Sequence, residues 1–206
     1  LLDKTPKNEF SSTSVWGDIN LAKSYLNTVY DGIGQWGSYH DRTPQVMACS
    51  ATDETWQRGN HGVWVLNQGN ITSSSYGDFD MWTPDYKAIR RCNIFLENIH
   101  KPFDLTDEER NHWIAEVKFL KAFYHFWLLR MYGPIPIIRE NLPISADTKA
   151  VQRYREPVDS VVSYIVELID EAVPDLPLNI GSVTIDMGRP TKPMALALKA
   201  KVLMLA

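Results

Sequence analysis

Hydrophobic positions recur at three- and four-residue spacing in five stretches of this chain, and that period predicts five helices. The first is predicted over about 16–33, where Ile19, Ala22, Leu26, Val29, Tyr30 and Ile33 share one face and Gly32 and Gly34 end it. The second is predicted over about 84–99, with Tyr86, Ile89, Asn93 and Leu96 on one face. Thr83 is its expected cap, with Pro84 in the first turn. The third covers about 106–132 and opens with Thr106 followed three residues later by Glu109, the two halves of a capping box. The fourth covers about 157–173, with Val158, Val161, Val162, Ile165, Leu168 and Ile169 inward and Pro174 as its stop. The fifth, about 190–206, follows a turn-rich stretch from Pro177 to Gly188.

The third helix is the most apolar. Phe119, Phe123, Tyr124, Phe126, Trp127, Met131 and Tyr132 leave it no wide polar face, so it is expected to be buried nearly all round. Gly133-Pro134 forces a turn, and Pro136 suits an extended tail rather than a central strand. Helices two and three, then four and five, read as two antiparallel pairs of the tetratricopeptide kind. The expected fold class is therefore all-α, with helical-hairpin repeats. Ala195, Ala197 and Ala200 supply small residues for close helix packing. Met194 to Ala206 has no polar finish, so it is expected to pack on something that follows. The chain is accordingly expected to be the first part of a longer protein, and alone it should expose the apolar face of helix five.

Between helices one and two lies a long interruption, 34–81, with no sustained period. Irregular stretches of this length are uncommon and usually functional. This one carries Trp36, Tyr39, Arg42, Asp53, Glu54, Trp56, Gln57, Arg58, Asn60, His61, Trp64, Asn67, Gln68 and Tyr76. Aromatic faces mixed with amides, carboxylates and guanidinium groups suit a sugar: a flat platform for the ring's C–H face, and paired partners for its hydroxyls. Trp64 lies in the apolar run Val63 to Leu66, which equally suits core packing.

Composition removes several alternatives. A net charge of -4 offers no basic face for nucleic acid. Two cysteines, Cys49 and Cys92, are too few for a disulfide framework. No window reaches the roughly 20 apolar residues of a membrane-spanning helix. His40, His61, His100, His112 and His125 show no metal-ligand spacing. Asp78 and Asp80 could join a calcium site but do not make one alone. Asp53-Glu54 with Asp78 or Asp80 could be the acid and base of a glycosidase, yet nothing in the sequence brings them together. Arg90, Arg91, Glu116 and Arg130 read as interhelical ion pairs, and Asn93 as a partner for backbone groups. No catalytic residue, cofactor or metal is expected.

Several separated motifs occur together in one order. They are Trp82; Tyr86-Lys87-Ala88-Ile89-Arg90-Arg91-Cys92-Asn93-Ile94-Phe95-Leu96; Ala115 to Tyr124, AEVKFLKAFY; Tyr132-Gly133-Pro134-Ile135-Pro136; and Gly188-Arg189-Pro190-Thr191-Lys192 before an Ala-rich helix. This run resembles the SusD/RagB family, as does Leu2-Asp3 with Pro6 near the start. Members are more than twice as long, and their lipid-bearing cysteine has no counterpart here. The resemblance implies a lipid-anchored, surface-exposed outer-membrane protein that is not an enzyme. Such a protein captures oligosaccharides, less often peptides, and delivers them to a SusC-like TonB-dependent transporter. It also places Thr52-Asp53-Glu54 and Trp56 beside the glycan platform, with a shift of about a residue. The expected glycan-binding residues are Trp56 first, then Trp64, Trp36, Tyr39, Arg58 and Asp53. Two other readings are a peptide-binding member of the same family and an intracellular tetratricopeptide-type interaction scaffold. The aromatic interruption argues against the scaffold, since plain repeat arrays join helices by short turns.

Overall fold

The computed structural model describes residues 16–33, 69–70, 72, 80–102, 104–142, 151–182 and 186–206. Among them are five α-helices: α1 (Ile19–Tyr30), α2 (Trp82–Asn98), α3 (Asp107–Tyr132), α4 (Val158–Ala172) and α5 (Lys192–Leu203). A single 3-10 turn, Val173–Asp175, follows α4. One antiparallel bridge of extended backbone joins Ile135 to Glu156.

Among the described helices α3 is the central one, because α1, α2, α4 and α5 all pack against it. That explains its composition. Val117, Leu120, Ala122, Tyr124 and Leu128 are fully buried, and so are the polar Glu116 and His125. Each large apolar side chain so buried contributes roughly 1.5–3 kcal/mol. The neighbours run antiparallel. The start of α2 meets the end of α3, where the Tyr86 hydroxyl donates to the Pro136 carbonyl at 2.8 Å. His112 near the start of α3 lies 3.2 Å from the Asp175 carbonyl beyond α4, while Ile135 past the end of α3 bridges Glu156 before α4. Lys192 N–H donates to the Pro177 carbonyl, and Lys199 farther along α5 reaches back to Asp170 at 2.6 Å. These pairs make the helical-hairpin arrangement that the hydrophobic period predicts.

The ends of the elements show where local signals hold and where they fail. Thr106 caps α3: its hydroxyl oxygen accepts the Glu109 N–H at 3.2 Å, and the Glu109 carboxylate reaches back to the Thr106 hydroxyl at 2.7 Å, where a full capping box would use the Thr106 backbone N–H. Gly133 ends the helix at φ 67° and ψ -126°, a region that only glycine enters cheaply. Helix α1 begins at Ile19, not near Trp16. Asp18 Oδ1 accepts the N–H groups of Asn20 and Leu21 at 2.7 and 3.3 Å, while Trp16 packs on Tyr25 and Phe95. Thr83 is not the cap of α2; the helix already includes Trp82, with Met81 at the capping position. The stripe that α2 buries is Asp85, Ala88, Ile89, Cys92, Asn93 and Phe95, so Tyr86 and Leu96 flank it instead of centring it. On α5, Ala195, Leu198 and Val202 are buried, whereas Met194, Leu196 and Leu203 are exposed.

Candidate functional site

Trp36, Tyr39, Asp53, Trp56, Arg58 and Trp64 all lie outside the described residues. What the structure does give is the frame from which their segment departs and to which it returns. The departure is at the end of α1. The Tyr124 hydroxyl of α3 donates to the Val29 carbonyl at 2.6 Å, and Arg91 of α2 donates to the Thr28 carbonyl at 2.9 Å. Both carbonyls belong to the last turn of α1, whose acceptors have no intrahelical partner. Ile33 N–H closes a turn onto the Tyr30 carbonyl at 2.8 Å. Gly32 lies against the Tyr124 ring: a Cβ there would sit 2.7 Å from the Tyr124 hydroxyl oxygen.

The return is at the start of α2. The Tyr132 hydroxyl accepts the Met81 and Trp82 N–H groups at 2.8 and 3.0 Å and donates to Asp80 Oδ1 at 3.1 Å. Met81 at the capping position has no capping side chain, so the hydroxyl shares the capping of α2 with Asp80, whose Oδ1 also accepts the Trp82 N–H at 3.1 Å. The Tyr132 phenol is pushed up to about 12, mainly by burial. The Trp82 ring meets the Tyr132 ring edge-on at 5.2 Å and tilts against Tyr86 at 4.9 Å. The Arg155 guanidinium stands over Trp82 at 5.2 Å and donates to the Pro134 carbonyl at 3.2 Å. Trp82 is thus part of the frame, and Asp80 serves as a backbone cap.

A buried carboxylate ties the frame together. Glu116 is wholly buried, and its Oε2 accepts the Tyr30 hydroxyl and the Arg189 guanidinium, each at 2.7 Å. Its Oε1 lies 2.9 Å from His112 Nε2. The hydrogen bond to Glu116 raises the His112 pKa, against the opposing effect of burial. Arg189 comes from the Gly188-Arg189-Pro190-Thr191 motif, so one carboxylate links α1, α3 and the approach to α5. Arg91 lies 3.5 Å from Asp31, as an ion pair. Arg130 instead stands over the Trp127 ring at 4.8 Å.

The remaining buried polar groups are structural. Burial lowers Lys121 to about 8, and its ammonium donates to the Arg139 carbonyl at 2.7 Å. Burial lowers His125 to about 4 and raises the Cys92 thiol to about 12. Asp85 is raised to about 7 by burial, and its Oδ2 has no hydrogen-bond partner among the described residues. Asn93 donates to the Ile138 carbonyl at 3.4 Å. Among the described residues no cluster of three His, Cys, Asp or Glu could hold a metal ion. No helix among them is long and apolar enough to cross a membrane. The hydrophobic period and the ordered motifs mark Tyr124 and Tyr132 as core and helix-end residues of α3, without a role at the 34–81 segment. Their hydroxyls carried a signal, since a buried tyrosine needs a hydrogen-bond partner, but nothing local says which partner.

Antiparallel helix pairs around one central helix, with a long segment rooted at two points on it, define a tetratricopeptide-like helical protein. The chain belongs to the SusD-like family: the family model described as starch-binding and associating with the outer membrane matches residues 1–204. SusD-like protein P25 of Formosa agariphila is 24% identical over 180 residues, covering 85% of this chain and 32% of that protein. The chain therefore spans about a third of the length of that curated relative. A SusD-like protein of Bacteroides fragilis superposes with a TM-score of 0.69 at 28% identity, over 97% of this chain and 37% of that one. A laminarin-binding SusD-like protein shares the fold with a TM-score of 0.77 at 22% identity, over 91% of this chain and 40% of that one.

Proposed function

We propose that this chain belongs to a surface protein that captures an oligosaccharide and delivers it to a SusC-like TonB-dependent transporter in the outer membrane. The single observation behind this reading is the family match over residues 1–204, whose description is starch-binding and associating with the outer membrane. The laminarin ligand of the similar solved protein is in keeping with a glycan as ligand class. The protein acts by binding, without catalysis, and is held at the cell surface by a lipid anchor.

In this reading the 34–81 segment presents the ligand surface. Trp56 is the principal platform, and Trp64, Trp36 and Tyr39 extend it. Stacking of a pyranose C–H face on indole uses the apolar ring without desolvating hydroxyls. Arg58 and Asp53 supply a donor fork and an acceptor pair for adjacent hydroxyls. The frame is in keeping with this division of labour, since Tyr124, Arg91 and Tyr132 are occupied with the backbone where the segment departs and returns.

The test is calorimetric titration of the full-length protein with a panel of neutral glucans, laminarin among them, beside the Trp56→Ala variant. Binding to a panel member that falls at least about tenfold in the variant, roughly 1.4 kcal/mol, with unchanged thermal unfolding supports the site. Undiminished affinity removes Trp56 from it. Binding of mixed peptides with no glycan binding would replace the ligand class.

A further inference from the structure

We propose that Tyr124 and Tyr132 are positioning residues, which clamp the end of α1 and the start of α2 onto α3 and thereby fix the two points between which the 34–81 segment runs. The proposal rests on the reading of that segment as the glycan surface, but its geometry stands on described residues alone.

The two clamps are matched in kind. At the departure point, the Tyr124 hydroxyl donates to a last-turn carbonyl of α1, Val29, at 2.6 Å. At the return point, the Tyr132 hydroxyl accepts the N–H groups of Met81 and Trp82 at the first turn of α2. Each hydroxyl thus bonds helix-terminal backbone groups that have no partner within their own helix, the Trp82 N–H being shared with Asp80. Tyr132 uses its full capacity, one donor and two acceptor sites, because it also donates to Asp80. Both tyrosines stand on the same rigid helix, about 12 Å apart along its axis at a 1.5 Å rise per residue. The two points between which the segment runs are therefore held at a separation set by α3 and not by the segment.

Packing reinforces both contacts. The Tyr124 ring fills the space beside Gly32, where a Cβ would approach its hydroxyl oxygen to 2.7 Å, so Gly32 is the residue that lets the chain pass the ring closely. The Trp82 ring covers Tyr132, and Arg155 covers Trp82. Loops that recognise ligands depend on such rigid roots, since the geometry of a site is only as precise as its supporting contacts.

Tyr124→Phe and Tyr132→Phe keep the rings and delete only the hydroxyls, so both variants are expected to fold. Amide hydrogen exchange of the full protein is the primary readout. Tyr132→Phe is expected to speed exchange about fivefold, as for the loss of one modest hydrogen bond, at residues 80–83 but not at 29–33. Tyr124→Phe should do the reverse, and neither should change residues 113–122 in the middle of α3. Unchanged exchange at both ends, or a uniform rise through α3 and α4, would overturn the clamps. Laminarin serves as the binding probe, with Trp56→Ala in parallel. A fall in its affinity in the Tyr132→Phe protein adds support. Full affinity in Trp56→Ala sinks Trp56 as the platform, while the exchange pattern still decides the clamps.

Discussion

Glu116 and Arg189 meet at 2.7 Å across 73 residues of sequence, and the carboxylate they share with Tyr30 is wholly buried. A buried ion pair of this kind is weak evidence of net stability, but breaking it leaves an uncompensated charge. Arg189→Ala should cost about 3 kcal/mol, and Glu116→Ala a similar amount. Because they remove the same contact, the double variant should cost clearly less than the sum of the two. Urea unfolding of all three proteins measures this, and additive losses would show that the contact contributes nothing.

Asp85 gives the fold a pH dependence. Its folded pKa is raised from 3.8 to about 7 by burial. The fold therefore holds the proton more tightly than the unfolded chain. The stability this brings is fully present below pH 3.8 and is lost as pH rises through about 7. Asp85→Asn removes the charge that must be buried at high pH. The variant should gain stability relative to the natural protein between pH 5 and 8, on the order of 2 kcal/mol. Thermal unfolding across that range checks it, and parallel curves would refute it.

Gly133 isolates a backbone effect. At φ 67° and ψ -126° it has open space where a Cβ would go, so a substitution meets no clash. Gly133→Ala should still destabilise by about 1–3 kcal/mol through strain alone. A cost below a few tenths of a kcal/mol in denaturant unfolding would mean that the turn relaxes freely.

Thr106 tests the cap of α3. Thr106→Ala leaves the Glu109 N–H without its acceptor and should cost about 1 kcal/mol, whereas Thr106→Ser should restore most of it. Equal stability of the alanine and serine variants would contradict the role of the hydroxyl.

The helices were legible because each carries its own period, and one local cap was legible because Thr106 and Glu109 lie within a single turn. The start of α2 was misread for the opposite reason. Thr83 has the right chemistry for a cap, but the Trp82 N–H is shared by Asp80 and by Tyr132, 50 residues away, and the Met81 N–H goes to Tyr132 as well, 51 residues away. The buried face of α2 was rotated toward Asp85 and Ala88, since it packs on both α1 and α3 and no single-helix pattern weighs two neighbours. The expected ligand residues Trp36, Tyr39, Asp53, Trp56, Arg58 and Trp64 fall outside the described residues, and they rest on residue chemistry and on resemblance.

By itself the sequence determined the all-α class, the approximate extent of the five helices among the described residues, and the family, since periodicity and ordered motifs are local and are carried by the residues themselves. Only the tertiary structure decided that α3 is the central one among the described helices, that Glu116 gathers Tyr30, His112 and Arg189, and that Tyr124 and Tyr132 hold the end of α1 and the start of α2. The physical reason is that a side chain's hydrogen-bonding need is written in its residue type, while the partner that meets it is chosen by packing between elements far apart in the chain.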